Sequence, residues 1–330
     1  MINRRSFAMA CAGAGLGLAR PAFAQAPAEN AAFPSGAVRI TNPFPAGSGP
    51  DVVSRWVGER LSKTWSQPVV IHNRPGSSGF VALQSVKQVP ANGHDLFLAA
   101  ADHMAINPTL FKKLPYSPTA DFVPVSGLYR TSFLVLVSAN GPIRTVPELV
   151  AYARSGENKA TYGSQAVGSP LHLGGAQIEA AIQARMLHVP FKETSALYQS
   201  VANGEVTWAL GSLGSAGALI QAGRLRVLAV ADTQRSPAMP DVPTLAEAGG
   251  PPVSVPTWVA LFAPTGTPPL AVSRIRESVH AALDTPDLRS KLMGFGFLPA
   301  KASGAEVADW IRTDQLHYAA LVKQTGATVD

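Results

Sequence analysis

Cysteine is nearly absent from this sequence, because the 330 residues contain only Cys11. Residues 1–24 have the features of an export signal: Arg4 and Arg5 precede an apolar stretch, which ends in Ala22-Phe23-Ala24. Cleavage after Ala24 removes Cys11. The mature chain is therefore expected to have no disulfide, no thiolate zinc site and no cysteine nucleophile.

Long apolar runs are also absent after the signal. The Arg-Arg-x-Phe arrangement at its start resembles a twin-arginine signal, and a Sec signal with two arginines is an open alternative. In both cases the mature chain begins at Gln25. No later run is long enough to span a bilayer, so we expect a soluble periplasmic protein.

The chain has only a small excess of positive over negative charge. The chain has 27 lysines and arginines against 21 acidic residues, and the signal carries three of the arginines, which leaves a mature net charge of about +3. The basic residues are scattered, and none forms a run interleaved with aromatic residues. Nucleic acid is therefore not expected as a partner.

Catalytic motifs are missing as well. The seven histidines show no His-Glu-x-x-His or other close metal-ligand spacing, and no serine after residue 24 lies in a Gly-x-Ser-x-Gly frame. No Gly-x-Gly-x-x-Gly fingerprint for a dinucleotide occurs either. We expect no metal, no cofactor and no enzymatic activity, with a periplasmic hydrolase as a remote alternative.

What the sequence does contain is a strand, a small-residue loop and a helix start within Val38–Arg55. The first turn of a helix has backbone N–H groups without intrahelical partners, and the helix dipole adds partial positive charge there. A carboxylate can therefore bind at such a loop without a basic side chain. Ser48 and Asp51 fit a capping box, Pro50 suits a first turn, and Gly47–Gly49 keep the loop thin.

The same plan of strand, small-residue loop and helix recurs along the chain. This alternation predicts mainly parallel sheets flanked by helices, with the ligand at the carboxyl ends of the strands. A second capping box, Thr145 with Glu148, predicts a helix through Ala153. The loops that follow the other predicted strands are Asn73–Gly79, Ala101–Met104, Gly163–Pro170 and Phe191–Ser195.

About 306 mature residues exceed what one hydrophobic core usually serves, so two domains are expected. A boundary near Phe133 and a returning apolar strand at Ser254–Pro264 predict two crossings between lobes, which form a hinge. The predicted division is residues 25–132 and 255–330 for the first lobe, and residues 133–254 for the second.

The ordered motifs of the chain resemble a known family over its mature length. The matching stretches are Pro43–Gly47 with Asp51 and Arg55, Gln67–Val70 with Asn73–Gly76, Asn107-Pro108, Leu114–Tyr116, Asp121-Phe122, Tyr162–Ser164 with Gly168-Ser169 and His172-Leu173, Val189–Lys192, Gly223–Arg226, and Pro240–Thr244 with Glu247–Gly249. In this order and spacing, they resemble the extracytoplasmic solute-binding proteins of tripartite tricarboxylate transporters, also called the Bug family.

The resemblance implies a two-lobed periplasmic binding protein fold of type II-like architecture. Such a protein captures a small carboxylate, among them di- or tricarboxylates, aromatic acids and amino acids, and delivers it to the membrane subunits of a transporter. A periplasmic sensor that signals to a receptor kinase is the alternative, since the same trap serves both uses. A monomer is expected.

The resemblance also implies that two loops hold the carboxylate through main-chain N–H groups, hydroxyls and water. It transfers this role to Ala46, Gly47, Ser48, Gly49, Ser164, Gly168 and Ser169. The remaining residues predicted to bind ligand are Phe44, Pro45, Asp51, Ala101, Asp102, His103, His172, Phe191, Lys192 and Glu193.

For some of these residues two interpretations stay open. His103 either offers a hydrogen bond to a distal ligand group or lies in a surface turn with Asp102. His172 either contacts the carboxylate or packs and caps its helix. Arg55 is expected to pair with an acid of its own lobe, and Trp258 to pack at the hinge rather than stack on a ligand.

The chain departs from the family pattern at three places. Glu193 stands where glycine is usual, Gly174–Gln177 lacks an acidic residue, and Gly211–Ser215 replaces a more acidic or aromatic stretch. These departures predict a different ligand more than a different fold.

Overall fold

The structure is a computed structural model, and it describes residues 33–157, 159–255 and 257–327. The predicted export signal, its cleavage site and Gln25 lie outside the described residues. Within them, the strands form two sheets. The part built on the six-stranded sheet is called the first lobe below, and the part built on the five-stranded sheet the second lobe.

The first-lobe sheet has the strand order β11-β4-β10-β3-β1-β2. Strand β1 pairs parallel with β2 and β3, while β10 pairs antiparallel with β3 and β4, and β11 antiparallel with β4. The strands are β1 (Val38–Asn42), β2 (Val69–Asn73), β3 (Asp95–Ala100), β4 (Phe122–Thr131), β10 (Thr257–Pro264) and β11 (Phe297–Pro299).

The second-lobe sheet has the order β7-β6-β8-β5-β9. Strand β6 pairs parallel with β7 and β8, and β5 pairs antiparallel with β8 and β9. The strands are β5 (Leu134–Ser138), β6 (Thr161–Ser164), β7 (Leu187–Pro190), β8 (Trp208–Gly211) and β9 (Leu225–Val230).

Ten α-helices connect these strands among the residues described. They are α1 (Gly49–Trp65), α2 (Phe80–Lys87), α3 (Asn107–Leu110), α4 (Val146–Arg154), α5 (Pro170–Ala181), α6 (Thr194–Asn203), α7 (Leu213–Gln221), α8 (Pro269–Leu283), α9 (Pro286–Gly294) and α10 (Gly304–Thr325). A π-helical turn, Asp102–Ile106, joins β3 to α3.

The two-lobed α/β fold is as predicted, but the sheets are mixed rather than mainly parallel. The cause is the hinge. Strand β4 leads out of the first lobe and β10 returns from the second, so these two strands run in opposite directions side by side. The return enters the first-lobe sheet beside β3, against the direction of the parallel strands.

One acidic side chain links the two crossing segments. Asp232 accepts hydrogen bonds from Ser132 Oγ on the outgoing segment (2.8 Å) and from Ser254 Oγ on the returning segment (3.1 Å). Next to it, the backbone N–H of Ala231 donates to the carbonyl of Phe133 (2.7 Å). The two crossings therefore lie side by side, as a hinge requires.

Each lobe has its own apolar core. In the first lobe, α1 buries Val53, Val57 and Leu61 against Val38 and Ile40 of β1. The amphipathic pattern of α1 predicted this face, although Val52 and Trp56 are only partly buried. The second-lobe core surrounds the fully buried Trp208 of β8.

Helix starts were predicted with mixed success. The capping box of Thr145 and Glu148 is present at the start of α4. The box predicted for Ser48 and Asp51 is wrong: Ser48 is the N-cap of α1, but its hydroxyl donates to the carbonyl of Pro45 (2.7 Å) and does not cap the helix. Helix α7 was not predicted, because Gly214 and Gly217 interrupt its apolar pattern. Strand β4 was not predicted either.

No described helix is both long enough and apolar enough to cross a membrane.

Candidate functional site

The loop after β1 brings a glycine into the left-handed region. Gly47 has φ +80°, a conformation that side chains other than glycine rarely adopt. This conformation turns its N–H towards α1, where it donates to Asp51 Oδ2 (2.8 Å). The loop is therefore tied to the helix that it precedes.

Asp51 is the centre of this arrangement. The residue is 2% exposed, and Arg55 holds its carboxylate from two sides, with Nε 3.0 Å from Oδ2 and Nη2 3.0 Å from Oδ1. Asn73 Nδ2 donates to Oδ1 (2.7 Å) from the end of β2. Burial raises the pKa of the Asp51 carboxyl, but the hydrogen bonds from Arg55, Gly47 and Asn73 outweigh burial and lower this pKa. The predicted pairing of Arg55 within its own lobe is confirmed.

The loop after β6 in the second lobe has the same arrangement of a left-handed glycine bonded to a side chain of the following helix. Gly168 has φ +79°, and its N–H donates to Nδ1 of His172 (3.0 Å), four residues on, just as Gly47 donates to Asp51. Ser169 is the N-cap of α5, and its Oγ accepts from the N–H of His172 (3.2 Å). The interpretation that His172 packs and holds its loop fits these contacts, since Nδ1 is occupied and the residue is 8% exposed.

An aromatic stack supports this second loop. The His172 ring lies 4.0 Å from that of His188, and Tyr162 is 5.0 Å from His188. Ser164 Oγ donates to the carbonyl of Ala166 (3.0 Å), so His188 Nε2, at 2.7 Å, is the donor to Ser164. Burial lowers the pKa of His172, and burial together with His172 lowers that of His188 to about 4. Both rings are therefore neutral at neutral pH.

Several backbone N–H groups near these anchors have no hydrogen-bond partner among the described residues. In the first lobe they belong to Ala46, Gly49 and Asp51, and in the second lobe to Val167, Leu171, Leu213 and Gly214. All but Ala46 and Val167 lie in the first turn of α1, α5 or α7, where the helix dipole is positive. The two loop glycines, whose own N–H groups are occupied, thus hold neighbouring donors in place. This arrangement can bind an anion.

His103 lies below the first-lobe loop. It is 4% exposed, which contradicts the alternative of a surface turn, and its ring meets that of Phe44 edge to face at 5.2 Å. Nδ1 lies 2.9 Å from Asp102 Oδ1 and 3.3 Å from the backbone nitrogen of Ala100. The ring covers Gly79 so closely that a Cβ there would lie 2.2 Å from His103 Cδ2.

The segment between β7 and α6 in the second lobe contacts the loop that follows β6. The N–H of Phe191 donates to the carbonyl of Ser164 (2.8 Å), and Gln165 contacts Thr194 at the start of α6. Glu193 is the N-cap of α6 but makes no side-chain cap, and both Lys192 and Glu193 are exposed. These two charged side chains lie at the edge of the loops that follow β6 and β7.

Two contacts join the lobes beside these loops. A Cβ on Gly168 would lie 2.2 Å from Leu110 of α3, so the second-lobe loop packs directly on the first lobe. Phe297 of β11 lies against both Gly49 and Gly214, which are at the starts of α1 and α7. The starts of helices from different lobes therefore meet around one phenyl ring.

The predicted site residues thus form two groups, one in each lobe. The first-lobe group is Phe44–Gly49, Asp51 and Ala101–His103, and the second-lobe group is Ser164, Gly168, Ser169, His172 and Phe191–Glu193. Ser164 is fully buried, and with Asp51 and His172 it holds the loops in position. Contacts between the lobes involve Leu110 and Phe297 beside these loops, and Leu173 of α5, which shares a buried cluster with Tyr318 and Leu321 of α10. The sequence did not indicate Leu110 or Phe297.

Sequence reasoning also missed Asn73, Ser212 and Gly214. Asn73 belongs to one of the matching family motifs, and its place at the end of a strand was a usable signal. Ser212 is the N-cap of α7 and accepts from the N–H of Ser215 (3.3 Å). A serine ahead of small and apolar residues is a recognised start signal, although the glycines of α7 weakened it.

Within the described part of the chain, no three histidine, cysteine, aspartate or glutamate residues are placed to share a metal ion. The chemistry of the loops is that of hydrogen-bond donation. It is suited to holding a ligand.

Comparison with protein families gives a match over residues 53–327 to the tripartite tricarboxylate transporter family receptor, TctC. The chain belongs to this family. The family and its solved neighbours are solute-binding proteins rather than enzymes. The resemblance inferred from the motifs is confirmed.

Individual relatives support this family membership. The chain is 30% identical over 292 residues to a UPF0065 protein in the tcbD-tcbE intergenic region of a Pseudomonas species, covering 88% of this chain and 87% of the other. An R. palustris protein solved with adipate has 30% identity and a TM-score of 0.83, covering 90% and 99% of the two chains. MatC of Rhodopseudomonas palustris, with bound malate, has 29% identity and a TM-score of 0.78, covering 88% and 100%.

Leucine in place of Gly47 or Gly168 is expected to weaken ligand binding while the fold survives. Gly168→Leu adds a side chain against Leu110, whereas a Cβ on Gly47 meets nothing within 4 Å, so the strain expected in Gly47→Leu comes from the left-handed backbone. Left-handed φ costs a branched residue about 1–2 kcal/mol. We expect about tenfold weaker binding for Gly47→Leu and a larger loss for Gly168→Leu, measured by calorimetry.

Gly204→Leu is the matched control, because Gly204 has φ +79° in open surroundings at the far end of α6. It should lose similar stability and keep its affinity. Unchanged affinity in both loop variants would remove these loops from the site.

Proposed function

We propose that this protein is an extracytoplasmic solute-binding protein that captures a small carboxylate between its two lobes and delivers it to a tripartite tricarboxylate transporter permease. The observation that carries this proposal is the set of unpartnered N–H groups at the starts of α1, α5 and α7. These groups come from both lobes, and Phe297 and Leu110 bring their loops together. Relatives solved with adipate and malate support a carboxylate as the ligand class.

We further propose that the lobes, with the boundaries predicted from the sequence, close over the ligand by bending at the two crossing segments. The hydrogen bonds of Asp232 to Ser132 and Ser254 support these segments as the hinge, because they keep both crossings together. Closure would exclude water from the N–H groups and strengthen their attraction for a carboxylate. We also propose that the protein works in the periplasm as a monomer; family membership and the predicted export signal support the location.

The ligand class can be tested by thermal unfolding. The protein is first unfolded and refolded to remove carried-over ligand, and is then mixed with separate mono- and dicarboxylates, including adipate and malate. A ligand at about 100 times its Kd stabilises the folded state by about 2.7 kcal/mol. For a chain of this size we expect Tm to rise by several degrees with at least one acid.

The matched control is the uncharged amide of each acid, which should give no shift. A broad panel of acids without any shift would contradict the proposal. Delivery is tested separately, by uptake of the identified acid into vesicles that contain the permease, with and without this protein. Uptake that does not depend on the protein would contradict the transport role and leave the binding role intact.

A further inference from the structure

A polar cleft of about 320 Å³ lies in the first lobe, on the face of the sheet that carries α2. The polar lining of this cleft arises because successive side chains of β1 point to opposite faces of the sheet. Val38 and Ile40 point into the core under α1, so Arg39 and Thr41 face the other side. There, Ala82, Leu83 and Val86 of α2 pack on Phe97 of β3. Because α2 has only eight residues, it leaves the edge formed by β1 and β2 uncovered.

The cleft has an excess of positive charge. Arg39 and Arg74 line it, together with His72, Gln88 and one acid, Asp95. Arg39 Nε lies 3.5 Å from Asp95 Oδ1, and its side chain is 54% exposed, so this ion pair is weak. The guanidinium of Arg74 makes no hydrogen bond or ion pair with any residue that the structure describes. One arginine charge is therefore unmatched.

Thr41 adds an unpartnered donor inside the cleft. The residue is 4% exposed, and its hydroxyl makes no hydrogen bond to any other residue in the described ranges. The Thr41 hydroxyl lines the cleft, so it can form a hydrogen bond with water or with a ligand there. His72 lies beside Thr41 in the register of β1 and β2, and Gln88 follows α2 on the opposite wall. Donors from three elements thus converge.

We propose that this cleft is a second ligand site, which binds a small doubly charged oxyanion such as phosphate or a dicarboxylate. Arg39 and Arg74 supply planar N–H donors suited to paired oxygens, and the Thr41 hydroxyl supplies a further hydrogen bond. The cleft volume is at the lower end of the range for small-molecule pockets. None of these residues belongs to the loops proposed to hold the transported carboxylate, so this inference does not depend on that function.

The test follows the imidazole protons of His72 by NMR during titration with inorganic phosphate and, separately, with succinate at constant ionic strength. His72→Gln identifies the signal. We expect a saturable shift with at least one probe. Binding should weaken about tenfold in Thr41→Val, which keeps the shape of the side chain but loses the hydroxyl, and at least tenfold in Arg74→Gln.

Two controls separate this site from other effects. Arg312→Gln removes the same charge from an exposed position on α10 and should leave the His72 response unchanged. Gly168→Leu, expected to impair binding between the lobes, should also keep it. Urea unfolding checks the fold of every variant.

The pattern of responses decides the outcome. A response to phosphate alone would assign a phosphate-type site, a response to succinate alone would assign a dicarboxylate site, and a response to both would show that charge dominates. No saturable shift with either probe would overturn the proposal. So would a response that is lost in Gly168→Leu, or one that survives unchanged in both Thr41→Val and Arg74→Gln.

Discussion

Asp51→Asn is expected to lower the free energy of unfolding by about 2–4 kcal/mol and to weaken carboxylate binding by tenfold or more. The Asp51 carboxylate accepts hydrogen bonds from four donors: the Gly47 N–H, Arg55 Nε, Arg55 Nη2 and Asn73 Nδ2. Asparagine keeps one acceptor oxygen and places an N–H₂ group among these donors. The Arg55 charge then also loses its partner.

The loss of affinity follows because Asp51 fixes the backbone of the binding loop. Without this anchor, Gly47 is free to leave φ +80°, and the donors of Ala46 and Gly49 lose their common direction. Urea unfolding gives the stability, and calorimetry with the acid identified by thermal shift gives the affinity. An asparagine variant with wild-type values in both measurements would show that Asp51 does not hold the loop.

Glu59→Gln is the matched control on the same helix. Its side chain is 59% exposed and pairs with Lys63 at the surface, so its loss should change stability much less than Asp51→Asn does. Affinity should not change. A comparable effect of Glu59→Gln would mean that the net charge of α1, rather than the Asp51 hydrogen bonds, is responsible.

The case of Asp51 also shows how far the sequence could predict this site. The spacing of Ser48 and Asp51 fits a capping box, and local spacing is enough for the box of Thr145 and Glu148. At Asp51 a residue distant in sequence decides the outcome, since Asn73 arrives from β2 and binds the same carboxylate. The contact between Asn73 and α1 depends on strand pairing, which spacing along one segment does not encode.

The positions of the loops could be predicted, because small residues after short apolar runs indicate strand-to-helix turns in both lobes. Which loops meet could not. Leu110 reaches Gly168, and Phe297 reaches Gly49 and Gly214, only because the chain crosses twice between the lobes. The direction of β10 has the same cause, which is why the mixed character of the sheets was missed.

Asp51 and His172 each hold a loop glycine by accepting a hydrogen bond from its N–H, but the two acceptors differ in charge. Gly47 is held by a carboxylate that needs Arg55 and Asn73 to stay ionised, and Gly168 by a neutral imidazole that needs none. An unmatched negative charge beside the site would repel a carboxylate ligand. With the proposed carboxylate ligand, the arginine beside Asp51 would therefore serve binding as well as stability, because it cancels the charge that the anchor introduces.

A second acid, Asp314 on α10, is placed to make stability depend on pH. It is 4% exposed, and its Oδ2 accepts a hydrogen bond from Trp258 Nε1 (2.7 Å) at the start of β10, the strand that returns from the second lobe. Burial raises the pKa of the Asp314 carboxyl to about 6, against the lowering effects of the Trp258 hydrogen bond and Arg130. Trp258 itself is fully buried and packs in the first-lobe core, beside Phe262 and Trp310.

Asp314→Asn is therefore expected to stabilise the protein above pH 6 and to have little effect near pH 4. The folded-state pKa of about 6 lies above the ordinary value of 3.8, so the folded chain binds this proton more tightly than the unfolded chain. The stability contributed by this group is present below pH 3.8 and is lost as the pH rises through 6. A difference of about two pKa units corresponds to about 3 kcal/mol, an upper bound on the gain at pH 8.

The measurement is the free energy of unfolding in urea from pH 4 to pH 8. It is taken as variant minus wild type, so that the opposite pH dependence of His172 and His188 cancels. The amide oxygen of the introduced asparagine can still accept the Trp258 hydrogen bond.

The control is Asp309→Asn, at an exposed position on the same helix, which should give a flat difference curve. A flat curve for Asp314→Asn as well would mean that this carboxyl ionises as easily in the folded chain as in the unfolded one. A difference curve that rises between pH 4 and pH 6 would show that the buried Asp314 carboxylate lowers the stability of the folded protein.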